Sequence, residues 1–179
     1  MPISDKALAI AQLITRLSGR TGRRFHIACA ESLTGGRLAS AFTAVPGASA
    51  WFHTGVVAYT RESKREVLGI PDNLLEEGLV TEETAKAMAD GVARLSGADY
   101  ALSTTGVAGP DASEGREPLT AWIGLHTPLG TSAKLIRRED KGRAANQEQT
   151  VLEALTLLEE QLFRDFSNIE GRGYRGFFA

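Results

Sequence analysis

The segment that most constrains the fold is residues 25–36, where an apolar run gives way to a polar turn and then to small residues. The apolar run is short and follows a basic turn, which predicts a buried strand. Glu31 and Ser32 come directly after it, and Gly35 and Gly36 then open a helix of small residues. A strand, a tight turn and a helix in this order are typical of an α/β fold.

The turn itself has two interpretations. Thr34 is a good helix N-cap, and glycines let the backbone pass close to a ligand. Free amide groups at a helix start attract anions, so Ser32 could face a substrate held partly by backbone donors. Alternatively, Ser32 and Thr34 only cap the helix, because serine and threonine are common at that position.

A second polar group follows the predicted strand 56–59. Thr60 is expected to cap a helix over 61–68, with Lys64 in its first turn. The helix dipole and burial in a cleft would both lower the pKa of Lys64, which could then accept a proton from a serine hydroxyl. Tyr59 could relay that proton or hold the lysine in place. The alternative is a solvated lysine on a charged helix, the usual environment of this residue type.

A third segment, residues 100–110, runs from a predicted strand into a glycine loop. Thr105 and Gly106 stand where the strand ends, and ligands of open α/β folds gather at such ends. Glycine loops also serve as plain turns, so this segment is a weak signal by itself.

Helices and strands alternate along the chain, which predicts a single three-layer α/β/α domain with a mixed sheet over residues 1–164. The short turn at 128–130 predicts an antiparallel pair. Residues 165–179, which include an Ile-Glu-Gly-Arg sequence that matches a protease recognition site, are expected to form a flexible or interface tail. The predicted strands are 24–30, 55–59, 99–104, 121–127 and 132–138, and the predicted helices are 4–17, 35–45, 61–68, 73–77, 81–95 and 143–163.

Composition narrows the function classes. The formal charge of the 179 residues is −2, so nothing indicates a nucleic-acid partner. No apolar run is long enough to span a membrane, no signal peptide is recognisable, and the one cysteine, Cys29, excludes an internal disulfide framework. These features favour a cytoplasmic protein. The histidines at 26, 53 and 126 lack metal-ligand spacing, so no metal is expected.

Six motifs in a fixed order resemble the CinA C-terminal domain family. The resemblance covers about residues 5–160, nearly the whole chain, and motifs in this order and spacing are hard to reach by chance. The motifs are Ala-Glu-Ser-Leu-Thr-Gly-Gly at 30–36, Pro-Gly-Ala-Ser-Ala-Trp-Phe at 46–52, Gly-Val-Val-Ala-Tyr-Thr with a lysine four residues on at 55–64, Leu-Gly-Ile at 68–70, Gly-Leu-Val-Thr-Glu-Glu-Thr-Ala at 78–85 and Thr-Gly-Val-Ala-Gly-Pro at 105–110.

That family includes competence- or damage-inducible proteins and the nicotinamide-nucleotide amidases. The resemblance implies hydrolysis of the amide of nicotinamide mononucleotide to nicotinic acid mononucleotide and ammonia, a step of pyridine nucleotide salvage. It implies Ser32 as nucleophile, Lys64 as general base and Tyr59 as a supporting hydroxyl. It also implies a homo-oligomer, and the implied scheme requires no cofactor. Around the pocket it places Glu31, Thr34, Gly35, Gly36, Thr105, Gly106 and Arg143.

The chain departs from the family pattern at two places. Glu117 stands where the family usually has a lysine, and Gln147 stands where a second arginine would fall. Arg143 is then the remaining arginine for the phosphate, together with the amides of Gly35 and Gly36. A glutamate beside a phosphate opposes binding by charge repulsion. Two alternatives therefore stay open, an amidase for a different substrate and a non-catalytic nucleotide-binding or regulatory module.

Overall fold

The structure of the protein, a computed structural model, describes residues 2–109 and 120–172, with side chains described as far as Ile169. Its strands are β1 (Ile27–Glu31), β2 (Phe52–Val57), β3 (Tyr100–Val107), β4 (Thr120–Thr127) and β5 (Gly130–Arg137). Its α-helices are α1 (Ile3–Thr21), α2 (Arg37–Thr43), α3 (Arg61–Leu68), α4 (Asp72–Glu77), α5 (Glu82–Ser96) and α6 (Arg143–Arg172).

The sheet has the strand order β2-β1-β3-β4-β5. Strand β1 pairs in parallel with both β2 and β3, whereas β4 is antiparallel to β3 and to β5. At the end of β1, Glu31 lies beside Val57 on one neighbour and Thr104 on the other. The segments that follow these three strands therefore meet at one edge of the sheet, where ligands of α/β folds bind.

Helices cover both faces of the sheet. Helices α1, α2 and α6 pack on one face around a core that includes Ile14, Phe42 and Leu155. Helices α3, α4 and α5 pack on the other face, around Leu68 and Met88. This arrangement confirms the predicted three-layer domain with a mixed sheet. Among the described residues, no helix combines the length and apolar character needed to cross a membrane.

Helix α5 fixes the position of helix α3. A Cβ at Gly91 would lie 2.5 Å from the Leu68 carbonyl oxygen, so the two helices approach each other at a residue without a side chain. The Arg94 guanidinium donates to the same carbonyl at 2.8 Å. These two contacts hold the C-terminal end of α3 against α5.

Helix α6 extends to Arg172, so its predicted end at 163 is wrong. The Tyr100 hydroxyl donates to the Asp165 carboxylate at 2.8 Å, and Phe166 is buried. Burial and the Asp165 carboxylate raise the pKa of Tyr100, so its hydroxyl keeps the proton that it donates. The predicted tail therefore begins as packed helix, and residues 173–179 lie outside the described residues.

Two helix starts agree with their sequence signals. Thr60 accepts the Ser63 amide hydrogen at 3.2 Å, and the Ser63 hydroxyl accepts that of Thr60 at 3.0 Å, which closes a reciprocal capping box. Thr81 caps α5 by accepting from the Thr84 amide at 3.0 Å. Helix α1 begins at Ile3, one residue before its predicted start, and Pro2 at its cap position provides no side-chain hydrogen bond.

Candidate active site

The turn after β1 holds Ser32 at the sheet edge. Its amide donates to the Thr104 carbonyl at 2.9 Å, and its own carbonyl accepts from the Gly35 amide at 3.1 Å. Gly35 and Gly36 have φ angles of 59° and 96°, in the left-handed region that favours glycine. The glycine pair thus lets the chain reverse within a few residues and leaves the Ser32 side chain half-buried at the strand end.

Glu31 supplies the cap of helix α2. The side chain is fully buried, and its carboxylate accepts the amide hydrogens of Gly36 at 3.0 Å, Leu38 at 3.0 Å and Ala39 at 2.8 Å. A negative charge at a helix N-terminus is stabilised by the helix dipole and by these otherwise unpaired donors. Glu31 therefore fixes the start of helix α2 relative to the end of β1.

The turn differs from expectation at its cap. The cap position of α2 is Gly36, and the hydroxyl of Thr34 instead lies 2.7 Å from that of Thr104. The amides of Gly35 and Gly36, expected to bind phosphate, donate in this structure to the Ser32 carbonyl and to the Glu31 carboxylate.

Lys64 reaches Ser32 from helix α3. The lysine side chain is 1% exposed, and its Nζ donates to the Ala58 carbonyl at 2.8 Å and to the Ser32 Oγ at 3.0 Å. The Ala58 amide in turn donates to the Glu31 carbonyl at 2.9 Å, which continues the parallel pairing past the end of β2. Ser32 directly follows β1, and Lys64 lies on the helix that follows β2, so the pairing of these two strands brings the two side chains into contact.

A cleft of about 250 Å³ opens beside this pair. The Thr105 hydroxyl donates to the Leu79 carbonyl at 2.6 Å, so strand β3 fixes the wall that precedes helix α5. Thr105 and Gly106 line the cleft. The lining residues are Ser32, Leu33, Tyr59, Lys64, Leu79, Val80, Thr105, Gly106, Val107, Ala108, Gly109 and Arg143.

Arg143 lies at the outer edge of the cleft. Its guanidinium donates to the Gly109 carbonyl at 2.9 Å and to the Tyr59 hydroxyl at 2.7 Å. The Tyr59 side chain is 53% exposed. Within residues 2–109 and 120–169, the Tyr59 hydroxyl bonds to Arg143 and to neither Ser32 nor Lys64. Tyr59 therefore belongs to the rim of the cleft in this structure.

Two residues on the first turns of α6 were missed as site residues. Asn146 is 1% exposed and donates to the Ala108 carbonyl at 3.0 Å. Gln147, noted in the sequence only as a departure from the family pattern, donates to the Leu33 carbonyl at 2.7 Å. Asn146 and Gln147 follow Arg143 by three and four residues, so these three residues lie on one face of α6. This spacing is the sequence signal that could have identified them.

Other reactive side chains lie apart from the cleft. Cys29 is fully buried, and burial followed by the Glu31 carboxylate raises the pKa of its thiol, so it stays protonated and behaves as a small apolar residue. His126 Nδ1 lies 2.7 Å from the Asp90 carboxylate. The described part of the chain contains no group of three or more histidine, cysteine or carboxylate side chains placed to hold a metal ion.

Replacing Glu31 by alanine is expected to lower the free energy of unfolding by about 2–4 kcal/mol, because one buried and two partly buried amides lose a charged acceptor. Urea denaturation measures this loss. Glu160→Ala, on the exposed side of α6, serves as the control and should change stability by less than about 0.5 kcal/mol. A Glu31→Ala protein as stable as the control protein would contradict the capping role.

Comparison with known proteins places this chain in a family. Residues 9–162 match the CinA C-terminal domain. The chain is 40% identical over 153 residues to the nicotinamide-nucleotide amidohydrolase PncC of Pseudomonas putida, an alignment that covers 82% of this chain and 92% of that protein. It is also 45% identical over 123 residues to a CinA-like protein of Geobacter metallireducens, covering 68% of this chain and 29% of the relative.

The chain spans between 27% and 38% of the length of four such longer relatives, described as CinA-like or competence-damage inducible proteins. Solved structures have the same fold. A CinA superfamily protein of Klebsiella pneumoniae matches with a TM-score of 0.85 at 28% identity, covering 92% of this chain and 99% of that one. The competence/damage inducible protein CihA of Agrobacterium tumefaciens matches with a TM-score of 0.79 at 31% identity, covering 89% and 96%. This chain belongs to the CinA C-terminal domain family.

Proposed function

We propose that this chain is an amidohydrolase that cleaves the carboxamide of nicotinamide mononucleotide, with Ser32 as nucleophile and Lys64 as general base. The observation that carries the proposal is the 3.0 Å contact between the Lys64 Nζ and the Ser32 Oγ at the edge of a cleft. The similarity to the PncC amidohydrolase over most of both chains supports the choice of substrate. The proposal requires no metal or cofactor.

The environment of Lys64 suits a base. The Lys64 side chain is 1% exposed, so its amine is shielded from bulk water at the edge of the cleft. In the neutral form, the nitrogen lone pair can accept the Ser32 hydroxyl proton at the observed distance. The Ala58 carbonyl accepts one N–H of the amine, which fixes the direction of the remaining bonds.

The reaction then proceeds in two halves. In the first, Lys64 takes the Ser32 proton, the serine oxygen attacks the amide carbon, and the C–N bond breaks as the lysine returns the proton to the leaving nitrogen. Ammonia leaves, and a nicotinoyl ester remains on Ser32. In the second half, Lys64 deprotonates a water molecule that attacks the ester carbon, and the lysine returns that proton to the serine oxygen as the bond between carbon and Ser32 Oγ breaks. The products are the carboxylic acid and the original serine.

We place only part of the substrate inside the cleft. About 250 Å³ is less than the roughly 300–1,000 Å³ of pockets that enclose a whole ligand. The proposal places the pyridine ring and carboxamide inside and the ribose phosphate across the rim. Arg143, already at that rim with Tyr59, is suited to a phosphate because guanidinium groups bind phosphate through paired hydrogen bonds.

The test is ammonia release by the purified protein from nicotinamide mononucleotide, with nicotinic acid mononucleotide measured by chromatography. Nicotinamide riboside, which lacks the phosphate, should react with a kcat/KM at least about tenfold lower, as expected for the loss of a charge-assisted contact of at least 1.4 kcal/mol. If the protein hydrolysed another amide with a higher kcat/KM, that amide would be assigned as the substrate in place of nicotinamide mononucleotide. Binding of the mononucleotide without any turnover would overturn the proposal in favour of a non-catalytic nucleotide-binding module.

A further inference from the structure

From the contacts of α6, we infer that Gln147 is a positioning residue for the nucleophile, a role that rests on the proposed function of Ser32. Gln147 touches neither Ser32 nor Lys64 in the described structure. It acts on the carbonyl of Leu33, the residue directly after the nucleophile, and thereby fixes the turn that carries Ser32.

Both ends of the Gln147 amide are held. The Nε2 donates to the Leu33 carbonyl at 2.7 Å, and the Oε1 accepts from the Arg37 Nε at 3.1 Å. Arg37 can only donate, so its contact identifies which end of the amide is the oxygen. The nitrogen therefore faces Leu33, and Gln147 joins the Ser32 turn to the first residue of α2.

The Leu33 carbonyl lies inside a turn with several internal bonds. The Ser32 amide is bonded to strand β3, the Gly36 amide to Glu31, the Gly35 amide to the Ser32 carbonyl and the Thr34 hydroxyl to that of Thr104. The chain also passes through two left-handed glycines, which tolerate more than one conformation. The bond from Gln147 adds a restraint at the peptide group directly after the nucleophile.

Gln147 is itself on a fixed part of α6. The neighbouring Asn146 is buried and donates to the Ala108 carbonyl at 3.0 Å and to the Asp140 carboxylate at 2.7 Å, while its oxygen accepts from the Lys141 amide at 3.1 Å. Because all of these bonds anchor the start of the helix, a side chain projecting from the next position has a defined location.

Loss of the Leu33 contact is expected to move Ser32 relative to Lys64 without removing either group. A displacement of about 1 Å at a reacting atom costs on the order of 10²-fold in rate. Gln147→Ala should therefore lower kcat by about 10–100-fold with little change in KM. Gln147→Glu keeps the side-chain length and the contact with Arg37, but a carboxylate cannot donate to a carbonyl, so its effect should be at least as large.

The experiment compares these variants with Gln149→Ala, a glutamine on the same helix whose contact is Glu153 rather than the cleft. Besides kcat and KM for ammonia release, it measures the rate at which phenylmethylsulfonyl fluoride modifies Ser32, followed by intact mass with Ser32→Ala as blank. In that reaction the Ser32 oxygen displaces fluoride from sulfur, so the readout needs no nucleotide. Melting temperatures check the fold.

We expect phenylmethylsulfonyl fluoride to modify Ser32 at least about tenfold more slowly in both Gln147 variants than in the parent protein. The rate in Gln149→Ala should lie within twofold of the parent rate. Equal labelling rates, a matching loss in Gln149→Ala, or no labelling of the parent would overturn it. If the parent labels but releases no ammonia from nicotinamide mononucleotide, the proposed function has failed, and the labelling rates still decide the role of Gln147.

Discussion

Ser32→Ala is expected to lower kcat for ammonia release by at least about 10³-fold, because it removes the atom that would form the ester. The side chain is half-buried and its loss leaves the backbone bonds of the turn in place, among them the Ser32 amide donating to the Thr104 carbonyl. The fold should therefore survive, and nicotinamide mononucleotide should still bind. Ammonia release at saturating substrate measures the effect, with calorimetry for binding.

Ser40→Ala is the matched control, since Ser40 is an exposed serine on the neighbouring helix α2. Its rate should equal that of the parent protein. If Ser32→Ala kept more than about a tenth of the parent rate, Ser32 would not be the nucleophile.

Lys64→Met is expected to have an effect of similar size, at least about 10³-fold on kcat. Methionine is flexible and apolar, so it can fill the buried slot that the lysine stem occupies. The proton acceptor is lost, while the bonds of Glu31, Thr104 and Gln147 to the turn that carries Ser32 all remain.

Lys86→Met, on helix α5 beside Glu82, removes a lysine outside the cleft and should leave kcat unchanged. A circular dichroism spectrum and melting temperature near those of the parent would show that Lys64→Met still folds. A folded Lys64→Met protein that turns over at the parent rate would exclude the lysine as base.

The local part of the site could be predicted from the sequence. Thr60 and Ser63 form a capping box between adjacent turns, so their signal is complete within a few residues, and the structure has helix α3 over the predicted range. Thr81 likewise caps α5 through a bond within one helical turn. The connection between β4 and β5 is so short that the two strands must pair antiparallel.

The contact between Ser32 and Lys64 could not be derived from spacing. It depends on β1 and β2 being neighbours in the sheet, which pattern alone does not determine. The family resemblance supplied the expectation, and the parallel pairing explains it physically, since both residues follow the carboxyl ends of adjacent strands.

The error at the cap of α2 has a physical cause. Thr34 is a suitable residue type for a cap, but the Glu31 carboxylate at the end of β1 accepts the amide hydrogens of the first helical turn. A carboxylate forms stronger hydrogen bonds than a hydroxyl, so it determines the cap. Asn146 and Gln147 were missed because helix periodicity gives the face of α6 and not the carbonyls that this face meets.

The central claim is that Ser32 forms a covalent ester with the nicotinoyl carbon. The direct measurement is an acid quench of the enzyme during turnover of nicotinamide mononucleotide, followed by peptide mass spectrometry. We expect a peptide containing Ser32 that is heavier by the mass of the substrate less ammonia, and we expect this peptide to be absent in Ser32→Ala. An adduct on any other residue, or full turnover by Ser32→Ala, would contradict it.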